Sequence, residues 1–152
     1  MDFTRRELIA GCSALAIAAV LPSVEHAITT PEERETAIRE ATRGATVTPG
    51  RVTLGIPQVA ENGLSVFTTV TVESPMTEAD HVRAIHLISE KNPLPRVASF
   101  HLGPRAGRAK VSTNIRLANS QRVLAIAEMS DGTFWSDEKS VIVSIGACID
   151  GG

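Results

Sequence analysis

Beyond Pro49-Gly50, apolar and polar residues alternate in short runs, and this pattern constrains the fold more than any other feature of the chain. Alternation with a period of two puts successive side chains on opposite faces of a β-strand. Asn62-Gly63, Asn92-Pro93 and Asp131-Gly132 are turn-forming pairs that separate the runs. The predicted strands are residues 52–56, 64–72, 81–89, 97–102, 111–117, 121–129 and 141–145.

Short strands at regular spacing indicate an all-β fold, here an immunoglobulin-like antiparallel β-sandwich over residues 46–145. Asn62-Gly63 predicts a tight turn that joins 52–56 and 64–72 as a hairpin. Residues 81–89 are apolar on both faces, which is typical of a central strand.

A short helix is predicted before the sandwich, within residues 28–45. Thr30 is a good N-cap, Pro31 fits the first turn, and Glu33 completes a capping box. Gly44 is a plausible stop. Ala37, Ile38 and Ala41 form only a narrow apolar stripe, so we expect this helix to lie on a surface or on a partner.

The first 27 residues have the order of an export signal. Arg5-Arg6 precede an apolar stretch over residues 8–21, which Pro22 ends. This order is typical of a twin-arginine signal cleaved after Ala27, and it predicts a periplasmic protein. The stretch is shorter than the roughly 20 residues that cross a bilayer as a helix, so we expect no stable membrane insertion.

Residues 28–152 carry 13 basic and 14 acidic side chains. Nucleic-acid binding requires a clustered basic field, and this balance does not predict one. Arg96, Arg105, Arg108, Lys110, Arg116 and Arg122 crowd the middle strands and loops. They either form a solvated edge that discourages strand aggregation or contact an acidic face of a partner.

Cys148 is the one cysteine outside the predicted signal, because Cys12 lies within it. An internal disulfide therefore has no second partner, and Cys148 is buried, paired with another molecule or chemically active. A segment this close to the end of the sequence has few neighbours to bury it, so we expect an exposed thiol. Residues 146–152 are predicted to form a flexible arm through Gly146, Ala147, Gly151 and Gly152.

A cysteine–histidine hydrolase is one alternative, with His81, His86 or His101 as the base. A catalytic nucleophile is seldom placed on a loose tail, and each histidine is expected to be an ordinary surface or sheet residue. A blue-copper site needs a histidine closely after the cysteine, and none follows Cys148, so no metal site is expected. Trp135 is interpreted as a core aromatic in preference to an exposed interface anchor.

Several segments together carry a family resemblance. They are Ala60-Glu61-Asn62-Gly63, Glu73-Ser74-Pro75-Met76, Asn92-Pro93 with Pro95, Val97-Ala98 with Phe100, Val111-Ser112-Thr113, Ile115-Arg116-Leu117-Ala118, Gln121 and Ser130-Asp131-Gly132. In this order, with a twin-arginine signal and a glycine-flanked Cys148, the chain resembles the SoxY family of the bacterial sulfur-oxidation system.

The resemblance implies a carrier that is not itself an enzyme and needs no cofactor. It implies that Cys148 carries thiosulfate-derived sulfur covalently and that the chain pairs with a SoxZ-like subunit. Its enzyme partners would be a haem enzyme that conjugates thiosulfate, a hydrolase that releases sulfate and a sulfane dehydrogenase. A binding or structural sandwich whose thiol is never loaded remains the alternative.

The sequence departs from the family's usual Gly-Gly-Cys-Gly-Gly ending. Ala147 precedes the cysteine, and Ile149-Asp150 follow it. Ile149 is β-branched, so the arm is expected to be stiffer than a glycine arm. Asp150 disfavours a nearby thiolate and repels an anionic cargo, so a divergent cargo or partner is also possible.

Overall fold

A computed structural model describes residues 28–146. One helix, α1 (Pro31–Thr42), precedes nine strands and a short 3₁₀ turn at Pro104–Ala106. The strands are β1 (Val47–Pro49), β2 (Val52–Gly55), β3 (Val59–Asn62), β4 (Val66–Val72), β5 (Val82–Ser89), β6 (Arg96–His101), β7 (Lys110–Ile115), β8 (Gln121–Met129) and β9 (Phe134–Ile145). No helix within this range is long and apolar enough to cross a membrane.

The strands form two sheets. The larger has six strands, in the order β1-β9-β8-β5-β6, and β3 pairs with β9 beside this path. The smaller has three strands in the order β2-β4-β7. Most pairs are antiparallel, but β1 and β3 both pair in parallel with β9, at its two halves. The predicted all-β, immunoglobulin-like sandwich is confirmed.

The core lies between the sheets. On the large sheet β8 contributes four fully buried residues, because alternate side chains point inward. These residues, together with their neighbours on β5, are Val123, Ala125, Ala127, Met129, Ile85 and Leu87. Strand β5 is buried almost throughout, as its two-sided apolar sequence predicts, because α1 covers part of its other face.

Helix α1 forms as its sequence predicts. The Thr30 side chain accepts a hydrogen bond from the Glu33 N–H, and the Glu33 carboxylate accepts one from the Thr30 N–H. Arg43 ends the helix in the left-handed region, and the Gly44 N–H donates to the Arg39 carbonyl at 2.9 Å. The narrow stripe is buried against the outer face of the large sheet, where Ala41 joins the cluster of Ile88, Ile126 and Phe134.

The predicted hairpin is only partly correct. Strands β2 and β4 do pair antiparallel, with Val52 opposite Val72. Asn62-Gly63 is not their tight turn, because the intervening residues form β3 and pair with β9 in the other sheet. Neither residue has the positive φ that the predicted turn requires. Leu64, predicted as the first residue of this strand, lies outside β4 and is exposed.

The last strand is longer than predicted. In the sequence of its first half, around Asp137 and Glu138, polar and apolar residues do not alternate clearly. These polar side chains instead bond to other parts of the fold. The Asp137 carboxylate accepts a hydrogen bond from the Leu54 N–H at 2.9 Å, and Glu138 pairs with Arg34 of α1. Val141 and Val143 point into the core as predicted, whereas Ile145 is exposed because β9 extends past the core.

Asn92 ties together three segments near the carboxyl-terminal end of β9. Its side-chain amide donates to the Arg116 carbonyl at 2.8 Å. Its oxygen accepts from the Ala118 N–H and from the Gln121 side chain, both at 2.9 Å. The residue is buried, so these polar groups depend on one another.

Replacing Asn92 with alanine should lower the free energy of unfolding by about 2–3 kcal/mol, because it leaves buried polar groups without partners. Urea denaturation measures this loss. Asn114→Ala is the control, since Asn114 is exposed and its side chain makes no hydrogen bond within residues 28–146. Equal losses in the two variants would contradict the role assigned to Asn92.

Candidate functional site

The candidate site is the place where the carboxyl-terminal segment leaves the sandwich. Gly146 is the last residue that the structure describes and is half-buried. Ala147, Cys148, Gly151 and Gly152 lie outside the described residues, as does the predicted signal over residues 1–27. The structure therefore defines the base of the predicted arm, two residues before the cysteine.

This base is held on both sides. Strand β3 runs parallel to the end of β9, with Val59, Ala60 and Asn62 opposite Ile142, Val143 and Ile145. On the other side, the Val143 N–H donates to the Ser120 hydroxyl at 2.9 Å.

Gly63 connects the last residue of β9 to the small-sheet side. Its N–H donates to the Ile145 carbonyl at 2.7 Å, and its carbonyl accepts from the Leu117 N–H at 2.8 Å. Leu117 is fully buried, so it anchors this bridge in the core. Backbone pairing with β3 continues to Ile145, and this makes the end of β9 a fixed starting point for the residues that follow.

The structure places the three described histidines away from this end. On β5, His86 lies opposite Ile126 of β8, five residues from Gln121, which pairs with Val141. Five strand residues span about 17 Å. His81 and His101 lie still further along, since Val82 pairs with Met129 and His101 with Ala84. The structure brings no described histidine to the base of the arm.

His86 is a buried sheet residue with its own partner. Its Nδ1 and the Ser99 hydroxyl lie 2.8 Å apart, and its ring is nearly perpendicular to the His101 ring, with the two ring centroids 6.4 Å apart. Burial lowers the pKa of His86, and the positive charges of Arg96, His101 and Arg43 lower it further, against an opposing effect of Glu128.

Glu128 lies near His86 and is also buried. It forms an ion pair with Arg43 at 2.6 Å and a longer one with Arg83 at 3.9 Å. Within residues 28–146, no three His, Cys, Asp or Glu side chains are grouped so that they could hold a metal ion. The buried side chains of His86 and Glu128 thus both have partners within the protein.

The clustered cations fall into two groups. Arg96 pairs with Glu40 at 3.1 Å, and Arg122 pairs with Glu90 at 2.8 Å and Glu138 at 3.4 Å. Hydrogen bonds from Arg122 lower the pKa of Glu90 to about 2. The other four cations of this cluster are exposed and form no ion pair within residues 28–146; they are Arg105, Arg108, Lys110 and Arg116. A partner contact for this second group stays a prediction.

Trp135 is half-buried and packs against the core. Its indole N–H donates to the Thr133 hydroxyl at 3.0 Å, and the Arg51 guanidinium lies over its ring at 5.6 Å. The interpretation as a core aromatic therefore agrees with the structure.

Comparison with known proteins addresses the family directly. A family model described as sulfur oxidation protein SoxY matches residues 38–148. The chain belongs to the SoxY family. The matched segment includes the end of β9 and extends to Cys148, so the base of the arm lies inside the SoxY match. No curated protein matches the chain.

Solved structures share the SoxY-like sandwich. The chain is similar to the sulfur carrier protein SoxY from Chlorobium limicola f thiosulfatophilum, with 24% identity, a TM-score of 0.63, and coverage of 74% of this chain and 92% of that one. It also resembles superoxide reductase (neelaredoxin) from Ignicoccus hospitalis, with 18% identity, a TM-score of 0.56, and coverage of 62% and 80%. At these identities the likeness concerns the fold alone.

The lowered pKa of His86 predicts how the stability of the fold depends on pH. A lowered pKa in the folded state means that protons favour the unfolded state, so stability should fall as the pH drops from about 7 towards 5. NMR titration should give a His86 midpoint below about 6.5. In His86→Gln, urea denaturation should show a smaller loss of stability over this range. A loss equal to that of the unsubstituted protein would count against the assignment.

Proposed function

We propose that this chain is a covalent sulfur carrier that holds thiosulfate-derived intermediates on Cys148 for partner enzymes. The observation that carries the proposal is the SoxY family match, which extends to Cys148 from a sandwich whose last strand is paired up to Ile145. The body of the protein then holds one end of the arm, and the thiol is two residues beyond Gly146.

The chemistry suits a cysteine. A thiolate is a good nucleophile, and its bonds to sulfur are reversible. In the first step the Cys148 thiol and thiosulfate form an S–S bond and release one proton and two electrons. A haem enzyme of the system accepts the electrons, a hydrolase then releases sulfate, and a sulfane dehydrogenase oxidises the remaining sulfur. The carrier catalyses none of these steps and needs no cofactor.

Tethering explains why such a system uses a carrier. An intermediate bonded to Cys148 cannot diffuse away, and its effective concentration near each docked enzyme is high. A short peptide also enters an active site that is too narrow for the sandwich. Export through the twin-arginine pathway would deliver the carrier to the periplasm already folded, and paired if its partner travels with it.

Ile149 and Asp150 distinguish this arm from one flanked only by glycines. The negative charge of Asp150 opposes an anionic cargo, although water and salt weaken this repulsion at an exposed site. The proposal therefore includes slower loading by thiosulfate than for a glycine-flanked cysteine.

Loading is tested by the intact mass of protein purified from thiosulfate-grown cells. The unsubstituted protein should carry discrete adducts that disappear on addition of a thiol reductant. Cys148→Ser should carry none and should keep its melting temperature, because the residue lies beyond the last strand. A mass that is always bare would instead favour the alternative, a binding or structural subunit whose thiol is not loaded.

Pairing with a SoxZ-like subunit is a separate expectation of the family assignment. Co-expression with a neighbouring SoxZ-like chain, followed by size-exclusion chromatography, should give a complex of one copy of each. A monodisperse monomer in the presence of that chain would contradict the pairing without bearing on the loading of Cys148.

A further inference from the structure

One side of the sandwich is open, between β6 and β7. Strand β6 is the last strand of the large sheet, and β7 is the last strand of the small sheet. Because β2 lies against β8 and β9 while β7 lies against β6, these two edges are on the same side of the molecule. No strand within residues 28–146 pairs with either edge. Each edge therefore presents a row of backbone N–H and C=O groups that have no strand partner.

Apolar side chains on the inner faces of β6 and β7 are incompletely buried. On the neighbouring strand β5, Ile85 and Leu87 are fully buried. Their register partners on β6 are Phe100 and Ala98, and both are only half-buried. Val111 of β7 is also half-buried, although all three pack against the core. The core thus has apolar surface left open along this side, and burying that surface would be favourable.

A cleft of about 500 Å³ lies between the two edges. It is lined by Val97 and Ala98 of β6 and by Thr113 and Ile115 of β7. Leu94, which is 75% exposed, also lines it. The strand edges on either side supply the hydrogen-bonding groups that an extended peptide requires, so this cleft suits an added strand.

The charges along β7 determine which strand it would accept. Arg105, Arg108 and Lys110 lie at one end of this edge, and Arg116 follows β7 at the other. None of these four cations forms an ion pair in the described part of the chain. Neither β6 nor β7 contains an acidic residue. Opposite charges on facing strands attract and like charges repel, so the edge favours an acidic strand.

A second copy of this chain does not fit the β7 edge. In a two-fold antiparallel pair, opposing residues are equally far from the axis. A pair centred on Ser112 would place Arg108 opposite Arg116. A pair centred on Thr113 would place Lys110 opposite Arg116. Like charges directly opposite each other destabilise a sheet, so the cations act against self-association.

We propose that the β7 edge binds an extended acidic segment of a partner protein, which joins the small sheet as its fourth strand. Acidic side chains of this segment lie on the outer face, near Lys110 and Arg116. They alternate with apolar side chains that enter the cleft between β6 and β7. Main-chain hydrogen bonds supply affinity, and the alternating side chains supply specificity. No step involves Cys148, and β5 and β8 separate β6 from β9 in the large sheet.

The test uses a short synthetic peptide in which glutamate alternates with valine, added to the isotope-labelled full chain. NMR titration should show amide shifts concentrated on β7 and β6. A matched peptide with lysine in place of each glutamate should cause no such shifts. Affinity for the glutamate peptide should fall as NaCl is added, because salt screens exposed charges.

Reversing one charge tests the electrostatic part. Lys110→Glu should weaken binding of the glutamate peptide about fivefold, because the charge beside the added strand changes sign. Arg39→Glu is the matched control, since Arg39 is exposed on α1 and forms no ion pair within residues 28–146. The control should bind the peptide as the unsubstituted protein does. Urea denaturation checks that both variants are folded.

Several outcomes would overturn the proposal. They are equal binding of the two peptides, shifts that lie outside β6 and β7, and equal losses in Lys110→Glu and Arg39→Glu. Absence of binding by the glutamate peptide would instead leave the cations as a solvated edge that discourages aggregation. Concentration-dependent shifts of β7 without peptide would assign the edge to a second copy of the chain. The loading of Cys148 bears on none of these results, so the carrier function stands or falls separately.

Discussion

Pairing along β9 is the interaction on which the rest of this molecule depends. The strand is bonded to β8 along one edge, and along the other it pairs in parallel with β1 over its first half and with β3 over its second. Without β3, the backbone N–H and C=O groups along this edge of β9 would need water or another partner. Because β3 supplies the partner, β9 is paired up to Ile145, and the predicted arm begins at a defined point of the sandwich.

The two ends of the sandwich differ in character. On β5 and β8, the buried side chains of His86 and Glu128 pair with the exposed side chains of Ser99 and Arg43. Around the end of β9, large apolar side chains are exposed without covering structure in the described residues. A hydrogen bond or an ion pair offsets the cost of burying a polar group, whereas exposing apolar surface costs stability unless another molecule covers it. This contrast directs attention to the end that precedes Cys148.

A carrier needs few residues of its own for chemistry. What it needs is a thiol, a tether and a body that partner enzymes recognise, and the proposed assignment places the thiol at Cys148 and the tether in the residues after Ile145. The family match covers the strands of the sandwich and the arm as far as Cys148. The superoxide reductases share the sandwich at low identity, which shows that the fold itself does not decide the chemistry.

Local sequence determined the elements whose signals are local. The capping box of α1, the two-sided apolar run of β5 and the alternation of β4 follow from neighbouring residues, and the structure agrees with each. The family resemblance also came from the residues alone. Tertiary structure decided the rest: β3 has four residues, too few for a periodic signal, and its parallel partner lies about 80 residues later. The exposure of Leu64 and Ile145 was likewise a tertiary outcome, because alternation predicts which face a side chain takes but not where the opposing sheet ends.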